Sequence, residues 1–394
     1  MNPDKVRQAI DAVHGDVMSL LNEMVRINSF SYNTAGIRDL AELAASRIPT
    51  DFEVDGRQPN LDDRIWIYRN HATDQLPILL SGHLDTVHPP SDGVCTLEAR
   101  DEFLCGPGVA DMKGGVAVIL GALWVLERLG RLSEIPIAVA FTGDEEIGSI
   151  HSRLRLRNLA KESRLGLVFE SAGPNGEVVL ARRGVRVYRL VVQGEEGHSG
   201  FDIKHKQSAL VELAHQILRL EGLNDPKLGL SVNVGMASGG TAVNVIPGRA
   251  EAKLEVRFWD EAVGDSAAER ILASLAAPKV SGMEFRLERT HARPVMAPTQ
   301  QTESLFEAVR EAGADLGWSI GQEVRTAASD ANVMASAGLA CLDGLGPRGE
   351  MGHSPRERII ASTVRDRLEL TVHLLWRLRN WEPKVKQRRF KLKR

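Results

Sequence analysis

The 394-residue chain is poor in cysteine, in aromatic residues and in net charge. Its three cysteines, Cys95, Cys105 and Cys341, are odd in number, widely spaced and form no CxxC pair. That excludes a disulfide framework and a structural zinc knuckle, and fits a reducing, cytoplasmic setting. A net charge of −3 gives the molecule no bias toward polyanions. No uncharged apolar run reaches the roughly 18 residues of a membrane span. The opening MNPDKVRQAIDAVHGDVMSLLNEMV has amphipathic helical spacing with acids throughout, not the basic and then apolar regions of a signal peptide. Nucleotide motifs are missing too: GPGVAD is not GxGxxG, and neither GxxxxGK nor HExxH occurs. In GEEGHSGF, Phe201 stands where a serine-hydrolase elbow needs glycine. The one charge anomaly is residues 384–394, KVKQRRFKLKR, with seven basic side chains and no acid. Such a tail can touch nucleic acid or anionic lipid, but its plainer reading is a solvated chain end. Neither nucleic acid nor membrane is an expected partner.

What the chain has is length and patterning. It exceeds what one core normally serves, so two domains are expected. LPILLSGHLDTV (76–87), IPIAVAFTG (135–143) and LGLVFES (165–171) are continuous apolar runs, the mark of strands buried on both faces. RIWIYRN (64–70) alternates as a strand. Helical spacing at 5–27, 36–47 and 114–130 alternates with these runs, which predicts an α/β domain with a largely parallel sheet flanked by helices. From about 181 the texture changes. Segments 185–194, 208–222, 230–239, 248–259, 261–277 and 282–290 read β-α-β-β-α-β, a ferredoxin-like α+β unit. After Pro294 the α/β pattern returns, with helices at 301–317, 330–338 and 360–380 and a strand near 339–344. The expected organisation is a discontinuous catalytic domain (1–180 and 293–383), an inserted dimerisation or lid domain (181–292) and the basic tail (384–394). The inserted sheet would have open edges able to pair with a second copy, so a homodimer is expected.

In open α/β sheets ligands gather at the carboxyl ends of the strands. After the first buried run come His83 and Asp85 (SGHLDTV); CGPGVADMKGG carries Asp111; FTGDEEIGS carries Glu145 and Glu146; LGLVFES carries Glu170; MGHSPRE carries His353. Singly each has a plain reading: a hydrogen-bonded loop histidine, a helix cap for Asp111, a solvated turn for the acids 144–146. Converging at one sheet edge, a His/Asp/Glu set without cysteine suits a catalytic site for Zn, with Mn or Co as alternatives. Two divalent ions need a bridging carboxylate. Charge counting makes Asp111 the candidate bridge, His83 and Glu170 the ligands of one ion, and Glu146 and His353 those of the other. Asp85 can accept the second imidazole N–H of His83. Glu145 is left beside a ligand as a free carboxylate, a candidate general base. Asp144 has no task beyond capping the turn.

With SGHLDTV, GVADMKGG, GDEEIGS, a Glu closing the next strand and a late GHSPRE in this order, the chain resembles the co-catalytic dizinc amidohydrolases and exopeptidases. That family includes the glutamate carboxypeptidases, acetylornithine deacetylase, succinyl-diaminopimelate desuccinylase and the aminoacylases. The likeness spans roughly residues 10–380 and implies the ligand and base roles just given, and a cis peptide after Asp111. It also implies that His198, in QGEEGHSG, stabilises an oxyanion and reaches into a partner subunit's site. Asn244, Arg257 and Arg293 resemble positions that hold substrate carboxylate and carbonyl groups in the glutamate carboxypeptidase branch; for Arg257 an exposed sheet face is the alternative. The chain departs from the family after HSG: FDIKHKQSAL puts Lys204, His205 and Lys206 where neutral residues are usual, which bears on substrate size.

The expected function is therefore a dinuclear-metal hydrolase cleaving an amide next to a free carboxylate, glutamate carboxypeptidase-like, through metal-activated water with Glu145 as base. An N-acyl-amino-acid deacylase is the alternative within the class. A non-catalytic binding relative is the alternative outside it, and would require a missing ligand or base.

Overall fold

The computed structural model describes residues 1–55, 64–70, 75–93, 95–200 and 206–382. The basic tail and Lys204 and His205 lie outside the described residues. The chain divides into two compact units: Met1–Ala181 with Pro298–Val324 and Ser329–Arg394, and Arg182–Ala297 with Arg325–Ala328.

The first unit is built on strands Phe52–Val54 (β1), Ile65–Asn70 (β2), Ile78–His83 (β3), Ile137–Thr142 (β4) and Leu165–Val168 (β5). Their spatial order is β1-β2-β4-β3-β5, followed by the short strand Cys341–Leu342. From β4 onward the pairings are parallel; β1 and β2 add an antiparallel edge. Every residue of β3, β4 and β5 is buried, as their unbroken apolar runs predict. Helices Pro3–Arg26, Gly114–Arg128 and Ser362–Leu378 pack their apolar faces into the same core. The parallel register aligns His83 with Thr142, so β3 and β4 end together and deliver His83 and the acids after Thr142 to one edge.

A feature not expected from the sequence is a small antiparallel sheet. Its order is Gly349–Glu350, Arg358–Ile360, Phe103–Cys105, Glu98–Arg100. These strands are two or three residues long, too short for periodicity to reveal. The sheet ties the segment before Asp111 to the segment around His353. The helix Arg153–Lys161 also escaped the sequence reading; its mostly charged composition hides a short buried face of Leu156, Leu159 and Ala160.

In the second unit, Gly184–Gln193 (β6), Ser231–Gly239 (β7), Arg249–Phe258 (β8) and Glu284–Arg293 (β9) form an antiparallel sheet of order β7-β8-β6-β9. Helices Ala209–Glu221 and Glu261–Leu275 cover one face around Leu190, Leu213, Leu254 and Ile271. This is the β-α-β-β-α-β unit expected, with β7 and β9 as edges.

One close approach ties the fold to the site. A Cβ on Gly115, at the start of helix Gly114–Arg128, would lie 1.9 Å from the backbone carbonyl oxygen of Phe169, next to Glu170. Backbone cannot move aside as a side-chain tip can, so Gly115→Ala is expected to cost at least about 2 kcal/mol in urea unfolding. Gly15→Ala, in an exposed helical position with nothing within 4 Å, should instead be neutral or stabilising by up to about 1 kcal/mol.

Candidate metal centre

The strand ends and the loops that follow bring five of the predicted residues into two groups that share a member. Donor atoms of His83, Asp111 and Glu170, and of Asp111, Glu146 and His353, lie within 4.8 Å of one another in each group. His83 Nε2 is 2.7 Å from Asp111 Oδ1 and 3.6 Å from Glu170 Oε1. His353 Nε2 is 3.1 Å from both Asp111 Oδ2 and Glu146 Oε2. The two oxygens of Asp111 thus face different groups, the arrangement a bridging carboxylate requires. Asp111 does not cap the following helix: that helix has no side-chain cap, and its N-terminus is preceded by the irregular turn Val109–Lys113. The Asp111–Met112 peptide is cis, as the resemblance implies.

The electrostatics of this cluster suit a cation. Two carboxylates within 4.8 Å of one another repel by at least roughly 3 kcal/mol at an effective dielectric near 20. Among the described residues, the ion pairs of Asp111 and Glu146 are with the two histidines. Burial alone would raise the Asp111 carboxyl, but hydrogen bonds from His353 and His83 outweigh it and hold it below the usual range. Burial and the neighbouring Asp111 charge push Glu146 up. The Asp111 and Glu146 carboxylates raise His353 to about 11. Burial pulls His83 down, yet the surrounding carboxylates of Asp111, Asp85 and Glu170 carry it well above its ordinary value. Glu146 Oε1 is buried without a hydrogen-bond partner. An orphaned carboxylate oxygen beside a shared aspartate and two imidazoles fits divalent ions well: a cation would replace the imidazole protons and take the unused oxygen. His353 also sits at φ 62°, a left-handed conformation that L side chains seldom adopt and that concentrates at functional sites.

Asp85 acts differently from expectation. The His83 Nδ1–H points at the backbone carbonyl oxygen of Asp85 at 2.9 Å, while the Asp85 carboxylate is 3.6 Å away. The buried carboxylate instead accepts the backbone N–H groups of Glu145 (3.0 Å) and Glu146 (3.1 Å) and the Ser31 hydroxyl (2.8 Å). The expectation that it fixes the imidazole is corrected to this extent: the backbone carbonyl takes the N–H, and the side chain anchors the Glu145–Ile147 turn. Glu145 is buried at that turn, beside the group formed with Glu146. Asp144 accepts the backbone N–H groups of His151 and Ser152 and so caps the approach to helix Arg153–Lys161.

The expected oxyanion stabiliser His198 and the three residues expected to bind substrate, Asn244, Arg257 and Arg293, belong to the second unit. His198 and Asn244 are exposed neighbours: His198 pairs with Val245, and the Ser199 N–H donates to the Asn244 carbonyl (3.0 Å). Arg257 and Arg293 both register with Val185, on either side of β6. Arg293 is buried. Arg257 is half-buried rather than fully exposed, with its guanidinium on Glu255 (2.6 and 2.9 Å) and donating to the Thr326 carbonyl (2.7 Å). The strands between Val185 and Gln193 run about 26 Å at ~3.3 Å per residue, with the arginine pair at one end and His198 and Asn244 beyond the other.

Sequence reasoning missed two supports. Glu357, four residues after His353, is buried and bound to the turn that carries Asp111. Asp330, buried, accepts the hydroxyls of Thr142 (2.6 Å) and Ser149 around the acidic turn. Only the late glutamate in GHSPRE offered a signal, and a lone acid in a loop is not distinctive.

The profile of peptidase family M20/M25/M40 matches residues 79–377. The chain belongs to this family. It is accordingly a hydrolase, and the M20/M25/M40 enzymes are metal-dependent. Carboxypeptidase G2 of Pseudomonas sp. (strain RS-16) is 28% identical over 304 residues, covering 76% of this chain and 73% of its own. Succinyl-diaminopimelate desuccinylase of Gluconacetobacter diazotrophicus is 30% identical over 319 residues, 72% of this chain and 80% of its own. An M20 family metallo-carboxypeptidase from Sulfolobus solfataricus superposes with a TM-score of 0.71 at 16% identity, covering 92% of this chain and 99% of that one; at that identity the likeness is one of fold.

A metal needs neutral imidazole nitrogens, whereas the carboxylates keep His353 protonated to about pH 11. Loading this M20 enzyme with Zn should therefore release protons at neutral pH, and its affinity should rise with pH. Calorimetric titration in buffers of different ionisation enthalpy reads the released protons directly; a proton count of zero would contradict the site's electrostatics.

Proposed function

We propose that this M20 protein is a dinuclear-metal exopeptidase that hydrolyses an amide next to a free carboxylate, in the manner of a glutamate carboxypeptidase. The observation that carries this reading is Asp111, whose two oxygens serve both donor groups. His83 and Glu170 would hold one ion, Glu146 and His353 the other, with Zn the best match to a His/carboxylate set and Mn or Co able to replace it. Bound, the ions would supply Lewis-acid activation of a water and of the scissile carbonyl. Glu145 would accept a proton from the attacking water and return it to the departing amine. Asp85 would keep that carboxylate in place through the backbone of its turn. Arg257 and Arg293 would take the substrate carboxylate, for which a planar guanidinium is suited. Asn244 would hold a substrate carbonyl, and His198 would donate to the developing oxyanion.

The strand length between the arginine pair and His198 supports a shared site. One small substrate cannot span about 26 Å of sheet, so the arginine pair and His198 with Asn244 would serve different sites, as a homodimer would provide. The homodimer would form through the second unit, where Val243, beside Asn244, and Met236 on edge strand β7 are exposed. The substrate would be a small peptide or N-acyl amino acid. Similarity to a succinyl-diaminopimelate desuccinylase favours a second reading, an N-acyl-amino-acid deacylase with the same centre.

Glu145→Gln should lower turnover by about 10²–10⁴-fold while retaining bound metal; Glu146→Gln should lose one ion. Near-normal turnover of Glu145→Gln would remove it as the base. A panel of N-acyl glutamates, dipeptides and N-acetyl or N-succinyl basic amino acids separates the two substrate readings. Turnover of the basic set alone would rule out the carboxypeptidase. Mixing His198→Ala with Glu145→Gln subunits restores activity only if the sites are shared.

A further inference from the structure

Glu357 is a carboxylate buried to 2% exposure with no role in the chemistry above. Its Oε1 accepts the backbone N–H groups of Ala110 (2.8 Å) and Asp111 (2.9 Å). Its Oε2 accepts that of Gly108 (2.9 Å) and faces His88 Nε2 at 2.8 Å. Its own carbonyl takes the Gly106 N–H (3.3 Å), and its N–H closes a turn onto the Ser354 carbonyl (3.1 Å), one residue from His353. The small sheet continues the same junction, with Arg358 opposite Cys105. One side chain therefore binds three amides of the Asp111 turn and sits on the short turn that carries His353. His88 is held in turn, its carbonyl accepting from Asn28 Nδ2 (3.1 Å) and its Nδ1 lying 3.7 Å from Asp92 Oδ2.

We propose that Glu357 is a positioning residue that sets the separation of Asp111 and His353, with His88 orienting its carboxylate. This rests on the dinuclear reading. Asp111, Glu146 and His353 form the group that depends on that separation. His83 ends strand β3 and Glu170 follows β5, so the other group shares only Asp111 with that junction. Loosening Glu357 therefore affects the two ions unequally. Substituting glutamine leaves the shape but turns one oxygen into an amide donor. It then faces either two backbone N–H groups or one N–H and His88, which repels the turn it should hold.

The test is Co(II) titration of the full-length apoprotein, followed by calorimetry and visible absorption, on wild type and Glu357→Gln. Wild type should take up two ions. Glu357→Gln should bind the ion of Asp111, Glu146 and His353 about 10–100-fold more weakly, the usual effect of losing a residue behind the ligands, and the other ion, which shares only Asp111 with it, less so. Excess Co(II) should restore kcat with KM unchanged. His88→Gln, which spares the amide contacts, should show a smaller loss of the same ion and serves if Glu357→Gln does not fold. Two ions bound by Glu357→Gln with wild-type affinity, or equal weakening of both, would overturn the positioning role. Uptake of a single ion by wild type would overturn the dinuclear reading itself.

Discussion

The centre depends on one constraint: carboxylates crowd within a few ångströms at a sheet edge where repulsion is costly. Pairwise penalties of several kcal/mol are a large fraction of a domain's net stability. Two responses are visible in the molecule. His83 and His353 are held protonated among the acids, supplying positive charge where the carboxylates converge. Backbone amides carry the rest, for the acids behind the cluster are saturated by peptide N–H groups: Asp85 by Glu145 and Glu146, Glu357 by Gly108, Ala110 and Asp111.

This division of labour explains why the acids come in two kinds. Asp111 and Glu146 point their oxygens at imidazoles and at each other's neighbourhood, which makes them available to metal. Asp85, Asp144 and Glu357 are turned away and spend their charge on turns. A carboxylate accepting several N–H groups is a rigid anchor, because moving it leaves buried donors unpaired. The adjacent Glu145 and Glu146 are thus presented by a turn whose backbone is fixed from behind, the proposed base and the proposed ligand at neighbouring positions.

Much of this was legible in the chain. Unbroken apolar runs in β3, β4 and β5 announced strands buried on both faces, and the polar residues after each run announced the site edge. The β-α-β-β-α-β order of the second unit followed from alternating patterns long enough to count. Short elements were not legible. Strands of two or three residues, such as Gly349–Glu350 and Phe103–Cys105, carry no period, and a charged helix such as Arg153–Lys161 hides its apolar face.

The sequence by itself determined which residues could be ligands, because donor chemistry is a property of side-chain type and strand ends are marked by where apolar runs stop. Only the tertiary structure decided how they are shared and held. That Asp111 divides its oxygens between two groups, that the Asp85 side chain grips a turn while its carbonyl takes the His83 N–H, and that Glu357 joins segments nearly 250 residues apart in sequence are facts of distance. Hydrogen bonds reward a fit within a few tenths of an ångström, and a lone acid in a loop gives no sign of which amides will close around it.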